Sequence, residues 1–431
     1  KRYDFDTVHF GLAMLFISFA SKLKLQQNLE LVGCWFPLEV FGFQKKIVKD
    51  GTISHARSKM GLEVFRSIFH RFSSTFKDVA PLDFYGLRTV MFDGTSMTAP
   101  DTESNRQEFG KHKSGRGYGA FPQIRAVALM TLFTRRIIDI AYAPYKGKKT
   151  GERTLMFEIL NRCSKNNALF LFDAGFYSFY LANYMCENGV QYILKIATSV
   201  KLKAIPGSQM TDGSYLSAVN GKIIASVNPD NGRKKWEKVE IVVRVIHFRI
   251  PGFRPVRLIT TLSDPDITAK EIVIHYHKRW DIEIAFDEIK THQCATLKGQ
   301  MPTIFRSKRS DLVEQELYSI LTAYNLIRSL IKEATDVEGG DPLLISFLET
   351  VDLIIECAAL MSMTTGKRKK KVRPFLLKMI AESKIDSPRR PRRNPRVVKV
   401  KMSNFKRKRS NDKSECTNFM RDMEILYKKA A

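Results

Sequence analysis

The chain predicts an α/β protein, a strand-rich core with helices at both ends. Three observations predict it. Between residues 86 and 196, apolar runs of strand length alternate with amphipathic runs of helix length. Residues 1–85 and those after 267 carry a helical period instead. A glycine-punctuated, β-rich stretch at 197–266 separates the two patterns.

At the N-terminal end, Leu12–Leu25 has an apolar helical face. The longest apolar run there, Phe10–Ala20, is too short for a bilayer span of about 20 residues and lacks a signal-cleavage pattern. It reads as a buried helix, and no membrane partner is expected. Thr52 is a candidate N-cap for a helix over Ile53–Met60. Gly61 breaks that helix, and Leu62–Phe72 follows as a second. Arg57, Lys59, Arg66 and Arg71 on this pair have two readings. One is a helical DNA-binding domain over 1–85; the other is a helical packing unit with a wet basic face.

The core begins with Arg88–Asp93, a short β-rich run ending in Asp-Gly-Thr, and a polar segment through Gly119 follows. Ile124–Phe133 and Ile137–Ala143 form a hairpin. Glu152–Cys163 is a helix, Ala168–Asp173 a strand, Tyr177–Glu187 a helix and Gln191–Ile196 a strand. The order β-β-β-α-β-α-β is that of an RNase H-like core, with residues 86–196 as its first part. Asp93 and Asp173 fall at the C-terminal ends of the first and fourth strands, the edge at which open α/β sheets bind ligands.

The 197–266 insertion holds strand runs at Val239–Phe248 and Val256–Leu262. Thr268 and Glu271 then suit a capping box at the start of a long helix, which opens the second part of the core, 267–336. Asp311–Ala334 is a further helix in that part. Residues 337–431 form a C-terminal region with a helix at Leu343–Met361 and a basic tail.

The 431 residues carry 71 Lys and Arg against 44 Asp and Glu, a net +27. Residues 367–409 alone hold 19 Lys and Arg against two acids. Such an excess predicts an extended polyanionic partner, nucleic acid before an acidic membrane surface. The tail itself either tracks DNA phosphates or is a solvated end. The six cysteines make no CxxC pair, which excludes a zinc knuckle and suits a reducing cytosol. The eight histidines make no HExxH set, so carboxylates must hold any metal, which favours magnesium or manganese over zinc.

Within the long helix, Tyr276, Arg279, Glu283 and Lys290 lie at offsets 0, 3, 7 and 14. At roughly 100° per residue these four project from a stripe about 60° wide. A carboxylate among a phenol, a guanidinium and an ammonium suits a metal beside a phosphate ester. A solvated face of ion pairs would have the same pattern. Asp93 or Asp173 alone would equally suit a turn or a helix cap. Together with Glu283, the two aspartates suit two-metal phosphodiester chemistry.

These motifs resemble a known family. Tyr276-x2-Arg279-x3-Glu283-x6-Lys290 is similar to the YREK signature of the DDE transposases of insertion-sequence family four. Asp93-Gly94-Thr95 and Asp173-Ala174-Gly175-Phe176-Tyr177 resemble its first and second aspartate motifs. The segments 98–102, 311–317 and 323–328 are also similar, and the resemblance covers most of residues 40–400. It implies an RNase H-like core interrupted by a β-strand insertion. It implies Asp93, Asp173 and Glu283 as catalytic metal ligands for Mg2+, with Mn2+ able to substitute, and Tyr276, Arg279 and Lys290 as phosphate-binding groups.

The activity implied is cut-and-paste transposition by a homodimer acting on terminal inverted repeats and target DNA in the bacterial cytoplasm. Cleavage would pass through an end hairpin. Two rival readings are a transposase-derived DNA-binding protein and a hydrolytic nuclease of the same fold. In the family, an insertion-domain tryptophan stacks on a flipped base. Trp236 is the insertion's one tryptophan, and it is either that residue or a packed core side chain. Trp280 lies about 40° outside the stripe and is expected to be a core anchor.

Overall fold

The computed structural model describes residues 50–75, 81–114, 117–145, 147–197, 199–227, 234–251, 253–293, 303–363, 366–385, 392–393, 397–398, 406–411, 415–416 and 419–426. The expected helix at Leu12–Leu25 and most of the basic tail lie outside them. The described residues form two compact units, one within 1–170 and 279–385, the other within 171–278 and 386–431. The fold is mixed α/β.

The first unit opens with helices α1 (Asp50–Met60) and α2 (Leu62–Thr75). Gly61 between them has φ +73°, a left-handed conformation that glycine adopts without steric cost. Thr52 lies inside the first turn of α1, so it is not the cap that the sequence suggests. Strand β1 (Arg88–Thr98) follows, then α3 (Glu103–Phe109), β2 (Lys111–Ser114), β3 (Gly117–Thr131) and β4 (Ile137–Pro144). The polar segment up to Gly119 therefore holds a helix and a strand. Its helix is capped by Thr102, whose side chain accepts from the Asn105 amide.

β1 is antiparallel to β3, and β3 to β4. Helix α4 (Glu152–Arg162) leads to β5 (Ala168–Phe172), whose first three residues belong to this unit. The Arg88 amide donates to the Asn167 carbonyl at 2.7 Å, and the Phe92 and Phe170 rings stack 6.0 Å apart. The strand order here is β4-β3-β1-β5.

The second unit holds α5 (Phe179–Glu187) and β6 (Gln191–Ile196), then β7 (Ala204–Gln209), β8 (Tyr215–Val227), β9 (Lys234–Arg249) and β10 (Val256–Thr260). Its strands run β6-β10-β9-β8-β7. Periodicity did not mark β7 or β8, because Ser, Asn and Gly interrupt their apolar alternation. Gly221 in β8 is there for packing: a Cβ would sit 2.2 Å from the Phe179 ring. Helix α6 (Ala269–His277) starts with the expected capping box of Thr268 and Glu271.

The chain then returns to the first unit with a 3₁₀ turn at Lys278–Trp280 that spans the division, α7 (Asp281–Asp287) and a π turn at Glu288–Gln293. Helices α8 (Ser310–Glu338), α9 (Phe347–Met363) and α10 (Gly366–Glu382) complete it. Helix α10 occupies sequence that composition marks only as basic. Val372, Leu376, Leu377 and Ile380 recur every three to four residues and are buried, and that face makes it a helix. No helix among the described residues is long and apolar enough to cross a membrane.

Candidate active site

Asp93 sits on β1 opposite Ala128 of β3. The sequence places it at a strand end, but β1 continues five residues further because Gly94 and Thr95 stay in the ladder with Val127 and Ala126. A strand interior holds a carboxylate more rigidly than a loop. One Asp93 oxygen accepts from the Gly94 amide at 2.8 Å. The other accepts from Arg279 at 3.3 Å, and the same guanidinium donates to Glu283 at 3.2 Å. Arg279 is buried, whereas Glu283 is half-exposed. One cation thus joins two carboxylates that lie 190 positions apart in sequence.

Lys290 donates to the Thr95 hydroxyl, two residues beyond Asp93. Burial pushes the Lys290 ammonium pKa down, against Asp287 and Asp93, which favour its charged form. The fold therefore gathers Asp93, Arg279, Glu283 and Lys290 around one part of β1.

The straight-helix stripe that grouped these residues is corrected in one respect. The run from 269 to 293 is α, then 3₁₀, then α, then π, so 100° per residue does not hold along it. The π turn lets two nearby side chains reach separate buried partners. Lys290 reaches Thr95, while Glu288 accepts from Arg135 at 3.3 Å and Tyr324 at 2.9 Å and pairs with Arg328. The Arg328 guanidinium is fully buried; the desolvation that would lower its pKa is outweighed by Glu288, so the pKa is raised.

Tyr276 and Asp173 are described within the second unit. The Tyr276 hydroxyl donates to the Phe172 carbonyl at 3.0 Å, at the residue that closes β5. Asp173 follows directly, at a strand end as the sequence expects. Its Oδ1 is buried without a hydrogen-bond partner, and the Lys195 ammonium lies 3.5 Å away. Arg244, also buried, donates to the carbonyls of Leu262, Asp264 and Ile267 at 3.1, 3.0 and 2.8 Å, fixing the segment that enters α6.

Trp236 and Trp280 are both exposed. Trp236, 55% exposed, lies across from Ile224 on the β8–β9 hairpin, which disposes of the packed-core alternative. Trp280, 56% exposed, lies beside the Arg279 guanidinium at 5.7 Å, so it is not the expected core anchor. Three other charged groups near the site escaped the sequence reading: Arg135, Glu288 and Arg328. Arg135 was signalled only by a double arginine in a hairpin turn, Glu288 only by its place in the long helix and Arg328 only by the 323–328 segment.

The donor set suits a hard divalent cation. It consists of carboxylate oxygens, and at Asp93 and Glu283 a guanidinium already occupies a cation's place between them. Among the described residues, no three His, Cys, Asp or Glu groups cluster tightly enough to hold an ion on their own.

Comparison with known proteins decides the family. Residues 85–326 match the model of the transposase DDE domain. The chain belongs to that family. This DDE transposase is an enzyme of DNA strand cleavage and strand transfer whose chemistry uses a divalent metal. It is 27% identical over 360 residues to the transposase InsG for insertion sequence element IS4 of Escherichia coli (strain K12), across 82% of this chain and 77% of that protein. A putative transposase InsZ of the same organism is 31% identical over 97 residues, 22% of this chain and 31% of its own length. A structure of the piggyBac transposase synaptic complex with hairpin DNA aligns with TM-score 0.40 and 9% identity, over 90% of this chain and 79% of that one.

Proposed function

We propose that Asp93, Asp173 and Glu283 are the catalytic carboxylates of an insertion-sequence transposase with an RNase H-like core. They would bind Mg2+, with Mn2+ able to substitute. The observation that carries this reading is the Arg279 guanidinium shared by Asp93 and Glu283, within a chain that matches the DDE family. Metal ions held by such carboxylates supply an activated nucleophile and a stabilised leaving oxygen.

The side chains of the chain itself set the geometry. Asp93 is fixed by the β1 ladder and the Gly94 amide, Glu283 by α7. Arg279 and Lys290 place two cations beside them to take phosphate oxygens of the cut strand, whereas Tyr276 would fix the end of β5 ahead of Asp173. Trp236, exposed among the lysines of the β8–β9 hairpin, is offered for stacking on an extruded base.

Residues 1–85 and the basic C-terminal region would bind DNA, with a homodimer pairing the two terminal inverted repeats. Each end would be nicked. The freed 3′-hydroxyl would attack the opposite strand and displace the 3′-oxygen of the flanking DNA to form a hairpin that water reopens, and the final 3′-hydroxyl would attack target DNA and displace a target 3′-oxygen.

Incubating the protein with a labelled element end, Mg2+ and a plasmid tests this. Hairpin and joined products are expected. Nicks alone would make it a nuclease, and retardation without cleavage a DNA-binding protein. Glu283→Ala should abolish cleavage and leave end binding nearly intact; undiminished cleavage by that variant would refute the site.

A further inference from the structure

We infer that Arg135 and Glu288 form a clamp that sets the rotation of α7 and so aims Glu283. They are positioning residues, and the inference rests on reading Glu283 as a metal ligand.

Arg135 donates to Asp281 at 2.9 Å, at the first residue of α7, and to Glu288 at 3.3 Å, just past its last residue. These two acids are seven residues apart, roughly 20° from each other around a helix, so one guanidinium grips one face at both ends. Glu283 is about 200° from Asp281 and projects from the opposite face. There it meets Arg279, which also holds Asp93. Helix α7 is therefore held on both faces, by Arg135 behind and Arg279 in front.

The rear anchor is itself fixed. Arg135 lies in the β3–β4 turn with φ +52°, a left-handed conformation unfavourable for a side-chain-bearing residue. That turn is held by the 2.7 Å hydrogen bond between the Thr131 and Thr134 hydroxyls and by the Thr131 amide on the Arg136 carbonyl at 3.0 Å. Asn325 of α8 pins its far side, accepting from the Ile137 amide at 2.9 Å and donating to the Ile137 carbonyl at 2.8 Å. One helical turn on, Arg328 pairs with Glu288, and the Tyr324 hydroxyl donates to the other Glu288 oxygen.

Arg135, Glu288 and Arg328 are all buried. An apolar cluster would hold a helix at no greater cost, since burying charges forfeits much of what pairing returns. What guanidinium–carboxylate pairs add is direction, because the planar fork accepts oxygens along fixed lines. A helix whose ligand must sit within about half an ångström of its working place needs that direction.

The test uses the full chain and two variants, Arg135→Ala and the milder Asp281→Asn, with Glu283→Gln alongside. Three quantities are read: Mn2+ affinity by calorimetry without DNA, the Mg2+ concentration for half-maximal cleavage of a labelled end, and end binding. Thermal unfolding identifies folded variants, and Asp281→Asn carries the test if Arg135→Ala does not fold. Both metal constants should weaken about tenfold, with cleavage recovering at high Mg2+ and end binding unchanged. A merely structural role would instead lower activity equally at every metal concentration, and that outcome overturns the clamp. So do unchanged metal constants in a folded variant. Unchanged Mn2+ affinity in Glu283→Gln would overturn the reading of Glu283 itself.

Discussion

Tyr276 holds the carbonyl of Phe172 at 3.0 Å, one residue before Asp173. Both ends of that bond are buried, so the phenol fixes the end of β5. Loss of the hydroxyl removes one buried hydrogen bond, worth about 0.5–1.5 kcal/mol net. Tyr276→Phe should lower stability to urea by that amount and raise the Mg2+ requirement for cleavage, with end binding unchanged. Weakened end binding at unchanged stability would show instead that Tyr276 contacts phosphate.

A truncation before residue 367 would look like a clean removal of the basic tail, but it would also remove α10, whose Ile380 and Val372 are core residues. The sharper experiment neutralises the exposed face. Changing Lys367, Lys370 and Lys371 to Gln should weaken DNA binding. Each phosphate that these side chains no longer neutralise should flatten the log–log salt slope by about 0.9. An unchanged slope in a titration from low to moderate salt would take α10 off the DNA surface.

His275 is buried in α6, and burial, with help from Lys278, pushes its pKa down from the ordinary 6.5 to about 3. The folded protein therefore binds fewer protons there than the unfolded chain between these values. Stability should fall as pH drops from about 6.5 towards 3, by up to roughly 1.4 kcal/mol per pH unit from this group. His275→Gln should flatten that part of a stability–pH curve measured by urea unfolding. An unaltered curve would mean that the imidazole titrates normally.

Much of the fold was legible because its signals are local. Gln191–Ile196 is a strand with the expected bounds, and Thr268 caps α6 as its Glu271 partner implied. The errors arose where local signal and tertiary context part. Asp-Gly-Thr reads as a strand ending in a turn, yet pairing with β3 carries β1 straight through it. Trp280 reads as a core anchor because it lies off the charged stripe, yet it lies exposed beside Arg279.

By itself, the sequence determined the acidic motifs, their order and the spacing of Tyr276, Arg279, Glu283 and Lys290, and with these the family. Residue type and offset are properties of the chain and survive without coordinates. Only the tertiary structure decided that Arg279 lies between Asp93 and Glu283, that Lys290 turns to Thr95, and that Arg135 grips the back of α7. Apart from the contact of Arg279 with Glu283 one turn on, those pairings join residues 146 to 195 positions apart. No periodicity reports such a pairing, because it exists only once strand and helix have packed.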